Sequence, residues 1–127
     1  MPYHLDDTHP FFRRSVSDCQ RRNKRRAADS DVQAIYPLLK RGQIAGGRLV
    51  KRVESWEMYK IRIADSSTNK GKSSGYRLIY ALNRPEKRVV LLFLYHKKDL
   101  ADVDVDALLQ ETRSYLEERE NTNNETS

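Results

Sequence analysis

The sequence predicts an α+β fold: a small antiparallel sheet with two helices before it and one after, in the order β-α-α-β-β-β-α. Three observations predict it. Between Trp56 and Tyr95, three successive segments have the apolar character of strands, two of them with a period of two. On either side of that block the apolar residues recur at helical spacing. The length of 127 residues matches one domain of roughly 100–150 residues and falls short of the roughly 200 that a TIM barrel needs. Strands that follow one another in sequence pair antiparallel, and helices then pack on one face of the sheet. The domain is expected to span residues 1–119, followed by a disordered polar tail over residues 120–127.

Taken in order, Tyr3–Leu5 reads as a short first strand. Thr8 is placed to cap a helix entered through His9-Pro10, proline being tolerated in a first turn. Phe12, Val16 and Cys19 share one face of that helix. The run Arg21-Arg22-Asn23-Lys24-Arg25-Arg26 closes it, where cations favour the macrodipole. Ser30 with Gln33 makes a capping box for a second helix carrying Val32, Ile35, Leu38 and Leu39. Pro37 predicts a kink or restart inside that helix, and Gly42 ends it. The stretch Gln43–Val53, with Gly46-Gly47, reads as a connecting loop.

The strands follow. In Trp56–Ile63, the residues Tyr59, Ile61 and Ile63 point one way and Met58, Lys60 and Arg62 the other. In Tyr76–Leu82, the residues Tyr76, Leu78, Tyr80 and Leu82 share a face opposite Arg77, Ile79 and Ala81. Arg88–Tyr95 is apolar on both faces, as a central strand is, and Asn83-Arg84-Pro85-Glu86 turns the chain into it. Beyond His96-Lys97-Lys98, Asp102 or Asp104 can cap a last helix with Val105, Leu108, Leu109, Thr112 and Leu116 on its apolar side.

Charge is unevenly spread. The chain has a net charge of +6, yet residues 1–98 hold 22 basic against 9 acidic side chains, and residues 99–127 hold 2 against 9. A basic body suits a polyanion partner. The acids of the final segment have two readings: a solvated helix face, or a shield over the basic face. The longest apolar run, Val89–Tyr95, is far short of the ~20 residues of a membrane helix, and the N-terminal residues lack the apolar core of a signal peptide. A cytoplasmic protein with no membrane partner is expected. The lone Cys19 fits a reducing compartment.

The histidines at positions 4, 9 and 96 and the single cysteine give no zinc-ligand spacing. The segment Lys70-Gly71-Lys72-Ser73 is not a Walker A loop, because position 66 is Ser where the first glycine is required. No cofactor is called for. What remains is a cationic strand face. Lys60, Arg62 and Arg77 can clamp a phosphodiester and stabilise the charge that builds on it during in-line attack. Lys98 or Lys97 can join from the end of the central strand. His96 is the side chain there whose unperturbed pKa lies close to neutrality, which makes it a candidate for proton transfer, set against a plain strand-end histidine.

Tyr59-Lys60-Ile61-Arg62-Ile63, then Gly71-Lys72-Ser73-Ser74-Gly75-Tyr76-Arg77-Leu78-Ile79-Tyr80, then Leu94-Tyr95-His96-Lys97-Lys98 resemble the RelE/ParE superfamily of bacterial toxins, nearest its RelE-like and HigB-like branches. The resemblance implies the toxin of a type II toxin–antitoxin pair, with a compact α/β fold. It implies an endoribonuclease that cuts mRNA on the ribosome without metal, by attack of the substrate's 2′-hydroxyl on the adjacent phosphate, and so inhibits translation. A cognate antitoxin, a small helix-turn-helix DNA-binding protein, would neutralise it. On this likeness Lys60 and Arg62 stabilise charge and assist the 2′-hydroxyl, Arg77 holds the scissile phosphate, and Lys98 lies near the leaving oxygen. Lys97, His96 and Lys72 are expected to touch RNA, and Arg21, Arg22, Lys24, Arg25 and Arg26 to contact ribosomal phosphates. The chain departs from the family where RelE has a tyrosine beyond its last basic residue: positions 103 and 104 are Val and Asp. Tyr95 and His96 are the alternatives for that role. Two other functions remain open: a ParE-like inhibitor of DNA gyrase, or a nucleic-acid-binding module without catalysis.

Overall fold

A five-stranded sheet forms the centre of the structure, a computed structural model that describes residues 2–42, 46–68, 71 and 74–126, with side chains up to residue 117. The elements are β1 (His4–Asp6), α1 (Pro10–Ser17), α2 (Ala28–Gln33), α3 (Tyr36–Lys40), β2 (Gly47–Val53), β3 (Trp56–Ile63), β4 (Tyr76–Asn83), β5 (Arg88–His96) and α4 (Val105–Thr126). A π-helical turn, Asp18–Arg22, extends α1. The strands lie in the order β1-β5-β4-β3-β2. The fold is α+β, as the sequence predicts, with three corrections.

First, the sheet is mixed: β1 pairs parallel with β5, His4 opposite Arg88, while the other pairs are antiparallel. Second, the stretch expected as a loop contains β2. Its alternation is broken by a bulge between Leu49 and Lys51, and its turn into β3 uses Glu54-Ser55, with Glu54 at φ 57 and no glycine to announce it. Residues 43–45 of that expected loop lie outside the described residues. Third, the helices do not share a face. Phe12, Val16, Val32 and Leu39 from α1–α3 cover Tyr59, Ile61, Tyr76, Leu78 and Tyr80. On the opposite face Leu108, Leu109 and Leu116 of α4 cover Trp56, Met58, Ile79, Ala81 and Leu92. Burying each such large side chain contributes roughly 1.5–3 kcal/mol, so both faces of the sheet are held.

The caps also differ from expectation. His9, not Thr8, caps α1: its Nδ1 accepts the Phe11 N–H at 3.0 Å, while the Thr8 hydroxyl donates to Asp6. Ser30 lies inside α2 and donates to the Ala27 carbonyl at 3.0 Å. Pro37 falls in the first turn of α3, the restart expected of it. Asp104 caps α4 through the Ala107 N–H at 3.1 Å. The helical backbone of α4 runs to Thr126, past residue 119. Among the described residues no helix is long and apolar enough to cross a membrane.

Two local features position the functional face. β5 has a bulge at Leu92, where Ile79 pairs with Phe93 but Tyr80 with Leu91. Its upper edge is closed by α1: Ser15 Oγ accepts the Leu94 N–H at 2.9 Å, and Cys19 Sγ lies 3.8 Å from the Leu94 carbonyl. Gly75, at the entrance to β4, passes so close to the end of β3 that a Cβ there would collide with the Ile63 carbonyl oxygen and come 2.9 Å from the Asp65 nitrogen. Gly75→Ala is therefore expected to destabilise the fold by about 1–3 kcal/mol, the cost of overpacking, read from urea unfolding.

Candidate phosphate-binding site

Residues directly opposite on antiparallel strands share a face, so the register alone assembles the site. Arg48 on β2 stands opposite Lys60 on β3, and Arg62 on β3 opposite Arg77 on β4. Arg77 in turn stands opposite Tyr95 on β5. With Gly46, the four cations line a cavity of about 220 Å³. Here α4 leaves the sheet uncovered. Its apolar side chains seat on the Trp56, Met58, Ile79 and Ala81 end of the same face.

Four cations on adjacent positions repel, and the structure shows how each is accommodated. Lys60 Nζ lies 3.1 Å from Asp102 Oδ1. Arg62 is exposed. Arg77 is 9% exposed and donates from a guanidinium nitrogen to the Tyr76 carbonyl at 3.1 Å. Burial, and then the charge of Arg62, hold the Arg77 guanidinium below its ordinary pKa, although it stays a cation at any physiological pH. An anion in the cavity would relieve that repulsion. Tyr95 is buried among the same groups: burial and Asp102 push its hydroxyl up, against the pull of Arg77 and Arg48, so it is protonated and able to donate. A phosphodiester can be held bidentately by Arg77 and Arg62, with Lys60 and Arg48 one pleat away.

The sequence-predicted residues divide. Lys60, Arg62 and Arg77 are brought together. Arg48, which the loop assignment hid, joins them; Val50 and Val53 beside it were the signal of a strand. Lys97 and Lys98 lie in the exposed turn after β5 and do not line the cavity. Lys72 lies outside the described residues. His96 faces the other side of the sheet, where it is buried edge-on against Tyr76, with Nε2 3.0 Å from Asp65 Oδ2. Its Nδ1 accepts the Lys98 N–H at 3.1 Å, which puts the imidazole proton on Nε2, donated to Asp65. It is a structural histidine there, and the site-facing alternative is Tyr95.

The basic run occupies the π-helical turn and the loop after it. Arg21, Arg22, Lys24 and Arg26 are exposed, Lys24 at φ 58. Arg25 is committed: it grips Asp99 bidentately at 2.7 and 2.9 Å and lies 3.9 Å from Asp65. Among the described residues no group of three or more His, Cys, Asp and Glu side chains is placed to hold a metal ion.

No family model matches the chain, and no curated protein matches it. Among solved structures, it is similar to a chain of the toxin–antitoxin complex RelBE2 from Mycobacterium tuberculosis, at 21% identity and a TM-score of 0.49, over 76% of this chain and 99% of that one. It is also similar to a chain of the archaeal RelE–RelB complex from Pyrococcus horikoshii, at 16% identity and a TM-score of 0.41, over 76% of this chain and 97% of that one.

The buried His96–Asp65 pair makes stability depend on pH. Burial and the neighbouring Arg25 hold His96 below its ordinary 6.5, against the pull of Asp65. The unfolded chain therefore takes up the proton first, and stability falls as pH drops below 6.5. Asp65 is pushed up by burial, but the Ser67 hydrogen bonds and His96 outweigh this and hold it below 3.8, so its contribution is lost only as pH falls below that value. The urea midpoint is expected to decline from pH 7.5 to pH 5, and His96→Gln to flatten that decline. An unchanged slope in the variant would remove His96 as its cause.

Proposed function

We propose that this protein is the toxin of a type II toxin–antitoxin pair, of the RelE-like or HigB-like kind, and that it is an endoribonuclease cutting mRNA on the ribosome without a metal or cofactor. The observation that carries the proposal is the register pair Arg62–Arg77, flanked by Lys60 and Arg48, on the part of the sheet that α4 leaves open. The motif resemblance over residues 56–100 supports the same reading from the sequence.

The chemistry follows from the groups present. Arg77 holds the scissile phosphate, and Arg62 and Lys60 stabilise the charge that gathers on its oxygens as the 2′-hydroxyl of the same nucleotide attacks. The new bond closes a 2′,3′-cyclic phosphate as the 2′-hydroxyl gives up its proton to solvent, and the P–O5′ bond breaks, the leaving oxygen taking a proton from solvent to become a 5′-hydroxyl. Tyr95, next to Arg77 in register, orients the reacting phosphate through its hydroxyl. Lys98, on a flexible side chain beyond β5, reaches toward the leaving oxygen. The exposed Arg21, Arg22, Lys24 and Arg26, with Lys97, contact ribosomal phosphates, and Lys72 adds to RNA binding. Residues 1–119 form the working domain, and the site of action is the cytoplasm. A helix-turn-helix antitoxin is the partner that silences the protein.

The decisive experiment is expression of Arg77→Ala in growing bacteria, with primer extension on a translated message. Growth arrest and new mRNA ends are expected from the parent protein. The variant is expected to lose them, with the cleavage rate down by about 10²-fold or more, and to keep its urea midpoint. Undiminished toxicity in a folded Arg77→Ala protein would remove the phosphate clamp. DNA damage without mRNA ends would favour gyrase poisoning instead.

A further inference from the structure

One member of the cation cavity already holds an anion. Lys60 is only 16% exposed at its side chain, and its Nζ is paired at 3.1 Å with Asp102 Oδ1. Asp102 lies in the irregular stretch between β5 and α4, and its side chain is 73% exposed. Its own Val103 N–H donates to it at 2.8 Å; that bond and Lys60 hold the carboxyl below its ordinary range, so it is an anion whenever RNA is intact. A carboxylate presents a cation with two oxygens and one negative charge, as a phosphodiester does with its non-bridging oxygens.

The segment that delivers Asp102 is tied down on both sides of it. Lys51 pairs with Asp106 at 2.9 Å and Arg113 with Glu54 at 3.2 Å, joining α4 to the β2–β3 hairpin. At its N-terminal flank Asp99 accepts from the Arg25 guanidinium at 2.7 and 2.9 Å. These ties keep Asp102 at a high local concentration beside Lys60. Because the Asp102 side chain is largely in solvent, rotation about its own bonds is enough to vacate Lys60, with α4 remaining in place.

We propose that Asp102 is a built-in competitor for the substrate phosphate at Lys60, which RNA must displace in order to bind fully. This rests on the phosphate-site reading above and concerns the regulation of that site. An isolated RNA strand meets a cavity with one cation already compensated, whereas a strand held in place by a large assembly presents its phosphate at a concentration that displaces the carboxylate. The competitor sets a threshold between stray and positioned RNA.

The test is equilibrium binding of a fluorescent single-stranded oligodeoxynucleotide, which lacks the 2′-hydroxyl and cannot be cut, to the full chain. Five variants are compared with the parent: Asp102→Asn, Lys60→Gln, the two combined, Arg77→Ala, and Glu111→Gln, which removes the same charge from an exposed position on α4. Asp102→Asn is expected to tighten binding about three- to fivefold, the scale of an exposed ion pair. Glu111→Gln is expected to change it by less than about twofold, the effect of net charge alone. In the Lys60→Gln background Asp102→Asn should change nothing. No gain from Asp102→Asn, or an equal gain with Lys60 absent, would overturn the competitor. Failure of every protein to bind, or binding undiminished by Arg77→Ala, would overturn the phosphate site itself.

Discussion

The extra residue at Leu92 decides which chemistry the sheet can offer. Up to that point β5 alternates regularly, Val89 and Leu91 under the α1–α3 layer and Val90 under α4. The bulge leaves Leu92 and Phe93 both on the α4 side, after which Leu94 turns toward α1 and Tyr95 toward the cations. Without it, the register of the first half of β5 would set Leu94 opposite Arg77, and Tyr95 would point into the α1–α3 layer. A bulge thus places a protonated phenol opposite Arg77 and reserves the imidazole for the interior, where it locks the loop after β3 to the turn after β5 through Asp65 and the Lys98 backbone. Cys19 and Ser15 fix the same strand from its edge, so the bulge is held rather than free to migrate.

Clustering cations costs stability, and the rest of the molecule offsets it. Two hydrophobic layers, one on each face, hold the strands in register whatever the charges prefer. The second layer has to stop short for the cavity to exist. The α4 helix begins only at Val105, and its first buried side chain is Leu108, so the sheet corner at Lys60, Arg62 and Arg77 stays open. Asp102 compensates Lys60, so the repulsion left for a ligand to relieve is mainly that between Arg62 and Arg77.

Sequence reasoning reached the parts of this arrangement that obey simple periods. The alternation of Tyr59, Ile61 and Ile63 against Lys60 and Arg62 is visible residue by residue, and Arg77 follows from the same pattern in β4. The failures sit where one residue breaks a period or where tertiary contact outranks a local signal. The bulge at Leu49–Lys51 hid β2 and with it Arg48. The bulge at Leu92 left Tyr95 and His96 indistinguishable. Thr8 is the better capping residue by type, yet Asp6 takes its hydroxyl and His9 takes the cap. The side of the sheet that α4 chooses has no local signature, since its apolar stripe would suit either face.

The two basic regions of the chain are on opposite sides of the sheet, yet one turn connects them. Arg25 reaches from the basic run to Asp99, directly after Lys97 and Lys98, and Lys97 in turn donates its N–H to the Gly75 carbonyl at the start of the Arg77 strand. The exposed Arg21, Arg22, Lys97 and Lys98 thus lie around a turn that is bonded directly to the start of the Arg77 strand. Asp99 neutralises Arg25 at the midpoint, so the position of that turn is fixed by a bidentate pair while the cations around it remain exposed.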